Sequence, residues 1–332
     1  MDPHVRFLPQ TPATGYVVGA TETLAQALHR LTTEQFSIAI DALTDPEADV
    51  GIATAASLQS VRRISAVLRL VRTVIGDEAY ESEQAVLYET DALLAALVAG
   101  QPELRALDQL RARYSHVLQP AAFVGFRQQL LHRHQLRRLT ALAEGEALQR
   151  SLHRLRRARA RFAAWPIDAT NEARMYGREP VGDSFESLGS GLGRTYRRGR
   201  KQWAKAGKGK LDVLDDWHQE CRLLGHQLEI IRSSWPEVIG AAAETCNRLE
   251  AILGETQGLV ALDEVARHES EGVLASDERA MLAALVAHGI DERLDVATAL
   301  GGRVFAEPSD QFLDRMEAYW LARDLSVEPA GT

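Results

Sequence analysis

The sequence GLGRTYRRGRKQWAKAGKGK, from Gly191 to Lys210, holds all four lysines of the chain together with four arginines. Side chains on a helix advance by about 100° per residue, so positions four, seven and eleven residues apart share one side. With this spacing one face consists of Arg194, Arg198, Lys201 and Lys205, and the opposite face of Leu188, Leu192, Tyr196, Gly199 and Trp203. The pattern predicts a helix over residues 184–208 that packs on one side and presents positive charge on the other, with a close approach of a neighbouring helix at Gly199.

Two interpretations of this basic face stay open, a binding site for a polyanion and an ordinary solvated face. Two other helical segments also carry arginines on one side: Arg62, Arg69 and Arg72 in the first, and Arg150, Arg154, Arg157 and Arg161 in the second. If the three stripes converge, they form a cationic trough in which arginine forks suit phosphate oxygens. Aromatic residues that could stack on bases are scarce among them, which favours an unstacked phosphate polymer over single-stranded nucleic acid.

The overall composition is acidic. The chain of 332 residues has a formal net charge of −8 and a pI near 5.7, which argues against a protein that coats nucleic acid. Basic residues concentrate between residues 133 and 210, whereas the N-terminal region and the C-terminal third are acidic. This asymmetry indicates a local anion site on an acidic protein.

Apolar residues recur at helical spacing from residue 20 onwards, with almost no alternation typical of strands, so we predict an all-α fold. Pro102 and Pro236 can each begin a helix. A break near Gly145 and a break between residues 253 and 258 are expected from their glycines. The aperiodic stretch after Trp165 suggests a division into an N-terminal extension (1–19), a first helical half (20–165), a linker (166–183) and a second helical half (184–327).

Residue patterns for catalysis, metal binding or export are absent from the sequence. Cys221 and Cys246 lie in no CxxC or zinc-ligand pattern, and no phosphate loop, HExxH or GxSxG occurs. Asp215 and Asp216 near His218 could suggest acid–base chemistry, but adjacent acids at a helix start more often serve the helix end. The opening lacks a signal-peptide pattern, and no apolar run reaches the roughly 20 residues of a membrane span. We therefore expect no catalytic residue, metal or cofactor, and a cytoplasmic location.

Five segments form an ordered set of motifs: SVRRISAVLRLVR (60–72), GLGRTYRRGRKQWAKA (191–206), DWHQECRLLGHQLEIIRSSWP (216–236), LEAILGETQGLVAL (249–262) and ALGGRVFAEPSDQFLDRMEAYW (299–320). They resemble motifs of the CHAD (conserved histidine α-helical domain) family, and the last segment is the strongest match. The resemblance extends from about residue 20 to residue 325.

The resemblance implies two related halves, each similar to a four-helix bundle, in a pseudo-twofold arrangement around a shared basic channel. It also implies binding of inorganic polyphosphate without known catalysis. Together with the stripes, it gives these candidate ligand-binding residues: Arg62, Arg63, Arg69, Arg72, Arg194, Arg197, Arg198, Arg200, Lys201, Lys205 and Arg222.

The chain departs from the family pattern where basic residues are expected. Ala55 stands in the register of the first-repeat histidine, and Asp215 in that of the second. The other departures are Leu58, Ser65, His218, Gln219, Glu220 and Gly225, each where the family usually has a basic residue. Each acid beside a polyanion adds repulsion of about 1 kcal/mol at 10–15 Å and an effective dielectric of 20, so we expect weakened binding.

Three hypotheses for function follow. The first is non-catalytic binding of inorganic polyphosphate, in the cytoplasm or on polyphosphate granules, with neither nucleic acid nor membrane as partner. The second is a degenerate CHAD protein that serves as a protein-interaction or scaffold module. The third, an enzyme acting on phosphate esters or polyphosphate, is disfavoured because no clustered carboxylates for metal-assisted chemistry are evident in the sequence.

Overall fold

The computed structural model describes residues 15–19, 22–98, 102–143, 146–163, 181–269 and 272–323. These residues form α-helices joined by turns, with two single 3₁₀ turns at Leu211–Val213 and Arg232–Ser234 and no strand in the described ranges. The helices are α1 (Leu24–Thr44), α2 (Val50–Leu70), α3 (Arg72–Ile75), α4 (Asp77–Val98), α5 (Pro102–Arg113), α6 (Val124–Ala143), α7 (Glu146–Phe162), α8 (Glu186–Ala206), α9 (Leu214–Ile230), α10 (Pro236–Glu269), α11 (Ser276–Val304) and α12 (Ser309–Ala322). The predicted all-α class is confirmed. None of the helices described combines the length and apolarity that crossing a bilayer requires.

Most helix ends follow their local sequence signals. Pro102 and Pro236 begin α5 and α10, as predicted, and α8 lies within two residues of the predicted 184–208 at both ends. The predicted break between residues 253 and 258 is wrong, because α10 continues through both glycines to Glu269. A Cβ atom at Gly258 would lie 3.0 Å from the carbonyl oxygen of Pro102. This glycine therefore allows the start of α5 to pack against α10 without interrupting the helix.

Two rings of four helices build the main body. In the first, α1 packs on α2, α2 on α4, α4 on α7 and α7 on α1; in the second, α8, α9, α10 and α11 close in the same way. The rings join where α2 packs on α8 and α9, and one apolar core runs through both, from Leu28 and Ile64 to Leu192 and Trp217. A pseudo-twofold relation between the rings stays a prediction.

A second, smaller core lies away from this junction. Leu107 of α5 and Phe126 of α6 pack there with Leu262 of α10 and Val286 of α11. Helices from the predicted first half thus pack on the far ends of helices from the second. Residues 1–14 of the predicted extension and 164–180 of the predicted linker lie outside the described residues. The domain division therefore stays a prediction.

The apolar face of α8 is buried as the sequence predicts. Tyr196 is 1 % exposed and stacks on the ring of Phe312, with the ring centroids 3.9 Å apart. At Gly191 a Cβ atom would lie 2.5 Å from the Cα atom of Leu70, so the backbones of α8 and α2 are in contact there. At Gly199 it would lie 2.6 Å from the ring of Phe305, so the close approach predicted there is made by a side chain. Gly191 thus sets the distance between α8 and α2, and with it the distance between the two rings.

We expect Gly191→Ala to lower the free energy of unfolding by about 1–3 kcal/mol, the usual effect of overpacking, despite a helix-propensity gain of about 1 kcal/mol. Gly207→Ala is the matched control, since Gly207 is exposed at the end of α8 with φ −62° and a Cβ there meets no atom closer than 3.5 Å. Urea denaturation followed by circular dichroism measures both changes. Equal stability of Gly191→Ala and the wild type would contradict the contact.

Candidate functional site

Two cavities lie where the helix rings meet. We call the first cavity A; it measures about 380 Å³ and is lined by Arg69, Tyr80, Gln84, Arg198, Lys201, Gln202, Asp216, Gln219, Glu220 and Leu223. We call the second cavity B; it measures about 200 Å³ and is lined by Arg62, Ser65, Gln84, Leu87, Tyr88, Asp91, Asp215, His218, Gln219, Arg222, Leu223 and Gln257. The cavities share Gln84, Gln219 and Leu223 and together form one groove, with α2 and α4 on one side and α8 and α9 on the other.

A buried ion pair lies at the base of cavity A. The guanidinium of Arg69 on α2 donates to Glu220 on α9 at 2.8 Å, and each side chain is only 8 % exposed. Burial raises the pKa of Glu220, although the charges of Arg69 and Arg198 act in the opposite direction. Removing one partner of such a pair leaves an uncompensated buried charge, so each arginine and acid here depends on the other for its burial.

The outer part of cavity A is more open and holds the cations of α8. Arg198 lies 3.8 Å from the other carboxylate oxygen of Glu220, and its side chain is 53 % exposed. Lys201 is exposed, and no ion pair is found for it among the described residues. Asp216, a second acid in the lining of cavity A, accepts a hydrogen bond from Gln202 at 3.1 Å. Arg198 and Lys201 are therefore the cations that an incoming anion reaches first.

In cavity B the charged side chains other than Arg222 have a polar partner. Arg62 donates to Asp91 at 2.9 Å, and Gln257 donates to Asp215 at 2.6 Å. Burial, followed by the charge of Arg62, lowers the pKa of Arg222. The lowered pKa means that the surroundings of this guanidinium disfavour its positive charge. Cavity B therefore offers Arg222 as its least compensated cation.

His218 contributes a further polar group to cavity B. Its imidazole lies 3.7 Å from Glu250. Burial acts to raise the pKa of Glu250, but the neighbouring His218 and the charge of Arg222 outweigh it and hold that pKa below its usual range. Glu250 thus stays ionised behind the wall of cavity B and adds negative potential there.

The charges of the groove nearly cancel. Its lining holds five cations, namely Arg62, Arg69, Arg198, Lys201 and Arg222, against four carboxylates, namely Asp91, Asp215, Asp216 and Glu220. Cations from separate helices do meet in one cavity, which is what a polyanion site requires. The surplus of positive charge is nevertheless small.

Two more predicted residues lie beside the groove, next to Tyr80. Arg72 donates to Asp77 at 2.6 Å and lies over the Tyr80 ring, 4.5 Å from its centroid. Burial, then the charge of Arg72, lowers the pKa of Arg194. Arg72 and Arg194 thus extend positive charge beyond cavity A.

The remaining predicted residues, Arg63, Arg197, Arg200 and Lys205, line neither cavity. Arg63 lies over the Tyr16 ring, 4.9 Å from its centroid, and Arg200 donates to the carbonyl oxygen of Phe305 at 3.2 Å. The arginine stripe of α7 does not join the groove either: Arg154 pairs with Glu89 at 2.7 Å and Arg161 with Glu83 at 2.5 Å. Two of the three predicted stripes therefore converge.

Several departures from the family motifs lie in the groove itself. Those that line it are Ser65, Asp215, His218, Gln219 and Glu220. The α4 contribution of Tyr80, Gln84, Tyr88 and Asp91 has no signal in the sequence, because α4 has no cation stripe and only packing brings it beside α2. Arg62 therefore has a carboxylate partner that its own motif does not indicate.

The described residues contain no group of three or more His, Cys, Asp or Glu side chains placed to hold a metal ion.

Comparison with protein families finds a match to the sequence model described as CHAD domain over residues 52–267, which is more than half of the chain. The matched range is shorter than the predicted 20–325 and leaves the C-terminal motif at 299–320 outside. A comparison with curated proteins finds no significant match.

Next to the groove, His226 lies in the field of Arg63, Arg222 and Arg62, which the charge of Glu250 opposes. It meets the Tyr16 ring edge-on, with the ring centroids 6.2 Å apart. Burial, then the charge of Arg63, lowers the pKa of His226 to about 4. Because the unfolded chain binds the proton at about pH 6.5, this histidine removes stability as the pH falls from about 6.5 to about 4, by up to about 3 kcal/mol, and none above that window.

We expect a titration of His226 by NMR to give a midpoint near pH 4. His226→Gln should lose less stability than the wild type between pH 6.5 and pH 4, since the variant has no proton to take up there. The wild type measured over the same range in urea provides the reference. A midpoint at or above the ordinary histidine value would show that the surrounding arginines and burial do not act as described.

Proposed function

Because the chain belongs to the CHAD domain family, we propose that its groove binds inorganic polyphosphate and performs no catalysis on it. The observation that carries the proposal is that five cations line one groove: Arg62 and Arg69 of α2, Arg198 and Lys201 of α8, and Arg222 of α9. A linear chain of phosphates can contact such cations in sequence. Arginine and lysine both donate to phosphate oxygens, and several contacts made by one ligand add to its affinity.

The carboxylates of the groove limit the strength of this binding. Each of them repels a phosphate by about 1 kcal/mol at 10–15 Å and an effective dielectric of 20, against a comparable attraction from each cation. The exposed cations Arg198 and Lys201 are also the ones that salt screens most. The proposal therefore implies a moderate affinity that falls as the ionic strength rises. We further propose the cytoplasm, in association with polyphosphate granules, as the setting.

We expect Arg198→Glu plus Lys201→Glu to weaken binding of long-chain polyphosphate by about tenfold or more, since two attractions in cavity A become repulsions. Titration of labelled polyphosphate at two salt concentrations measures this. The matched control is Arg156→Glu plus Arg159→Glu on α7, which makes the same change in net charge at two exposed positions outside both cavities. Absence of binding by the wild type at low ionic strength, or an equal loss in the control, would contradict the proposal.

A competition arm tests the kind of polyanion. Tyr80, in cavity A, already carries the guanidinium of Arg72 on its ring, so it is not free to stack on a base. Among the residues that the structure describes, Tyr88 of cavity B is the one tyrosine of the groove lining that is exposed, so a run of bases finds a single ring to stack on. We therefore expect a single-stranded oligonucleotide to compete poorly with polyphosphate at equal phosphate concentration. Equal competition would assign the groove to nucleic acid instead.

One observation favours the second candidate function, a protein-interaction or scaffold module. The four carboxylates in the groove leave only a small positive surplus, which suits a partner surface with charges of both signs better than a uniform polyanion. In that case a protein partner captured by the chain stays bound when excess polyphosphate is added. Release of the partner by polyphosphate would exclude this alternative.

A further inference from the structure

We infer that Glu220 is a built-in competitor for the anion in cavity A and thereby sets the shortest polyphosphate chain that the groove retains. The inference rests on the proposed function, because it concerns the selectivity of the same groove. It assigns to one acidic side chain a role in choosing among phosphate ligands.

The geometry at Glu220 resembles an anion site that is already filled. One carboxylate oxygen lies 2.8 Å from Arg69, and the other lies 3.8 Å from Arg198. The two arginines belong to different helix rings, and both oxygens face a guanidinium. The carboxylate therefore takes the position from which a phosphoryl group would contact both arginines at once.

Glu220 is held in this position by the packing around it. A Cβ atom built at Gly199 would lie 3.6 Å from the Cβ atom of Glu220, so α9 is close to α8 at this level. The side chain is 8 % exposed. The carboxylate of Glu220 is part of the chain, so it competes with a free anion for the two arginines as an intramolecular ligand. Its effective concentration is in about the millimolar range or higher. A free anion of low charge competes poorly against it.

Every helix around cavity A contributes polar groups to its lining, among them Arg69 from α2, Tyr80 and Gln84 from α4, Arg198 and Lys201 from α8, and Asp216 from α9. The charges that act on Glu220 are those of Arg69, Arg198 and Asp216. Of the cations that line cavity A, Arg198 and Lys201 of α8 are exposed to solvent, whereas Arg69 is buried. A small phosphate ligand therefore gains mainly the contacts to Arg198 and Lys201.

A longer chain has further contacts available. Cavity B continues from cavity A through the shared Gln84 and Gln219, and it adds Arg62 and Arg222. A ligand long enough to reach both cavities keeps these attractions without displacing Glu220. Tripolyphosphate is thus disfavoured relative to long-chain polyphosphate, and neutralising Glu220 should reduce the difference.

The test compares Glu220→Gln with Asp216→Asn. Both remove one negative charge from cavity A, but Asp216 is exposed and no ion pair with Arg69 or Arg198 is found for it among the described residues. We expect Glu220→Gln to raise tripolyphosphate affinity about tenfold and long-chain affinity less than threefold, and Asp216→Asn to raise both about twofold. Calorimetric titration of the full chain at neutral pH and low salt measures all six affinities.

The outcomes separate this inference from the proposed function. If wild type and Glu220→Gln bind with the same selectivity, or if Asp216→Asn has the same effect, the inference is overturned and the proposed function stands. If Glu220→Gln alone binds, Glu220 blocks the anion altogether and the native chain retains no polyphosphate, so the proposed function and the length selectivity that rests on it are both overturned. Absence of binding by every variant overturns both.

A second variant covers loss of folding, because Glu220→Gln breaks a buried ion pair. Glu220→Asp keeps the negative charge beside Arg69 and shortens its reach toward Arg198. Tripolyphosphate affinity should rise about threefold, since one of the two contacts is weakened. Circular dichroism establishes that each variant is folded, and an unchanged affinity in folded Glu220→Asp overturns the inference.

Discussion

The contact between the backbones of α8 and α2 at Gly191 determines how closely the two helix rings approach. A Cβ atom there would lie 2.5 Å from Leu70, so any other residue would move the helices apart. The cations of both helices follow from this contact, because Arg69 lies one residue before Leu70 and Arg198 lies two turns after Gly191. A groove between the rings therefore depends on a position that carries no charge at all.

Bringing cations together in this way has an electrostatic cost, and the chain offsets it with carboxylates. The pairs Arg69–Glu220 and Arg62–Asp91 place an acid from another helix beside each of the two α2 arginines that line the groove. Such acids stabilise the folded chain, because an unpaired buried guanidinium is costly. The same acids repel a polyanion. Stability of the junction and affinity for phosphate thus oppose each other at these positions, and the family match alone does not fix the balance between them.

The contrast between the two ends of the groove follows from this opposition. In cavity B Arg62 is paired with Asp91 and partly buried, whereas in cavity A the α8 cations Arg198 and Lys201 stay open to solvent. An anion therefore meets Arg198 and Lys201 first, and its further progress depends on Glu220 and the pairs behind it. Departures such as Asp215 and Glu220 alter the groove while the helices that form it are retained.

The sequence by itself determined the helical class, the start of α5, both ends of α8 and the two faces of α8, because these depend on residue types and spacing within one helix. It also placed the acids of 215–220 in the site through their motif. Only the tertiary structure decided that Arg69 enters the groove while its motif neighbour Arg63 packs on Tyr16. It alone brought Asp91 to Arg62 and paired Arg154 and Arg161 of α7 with acids of α4. The reason is that a charge acts on whatever lies near it in space, and the nearest groups here belong to helices far apart in the chain.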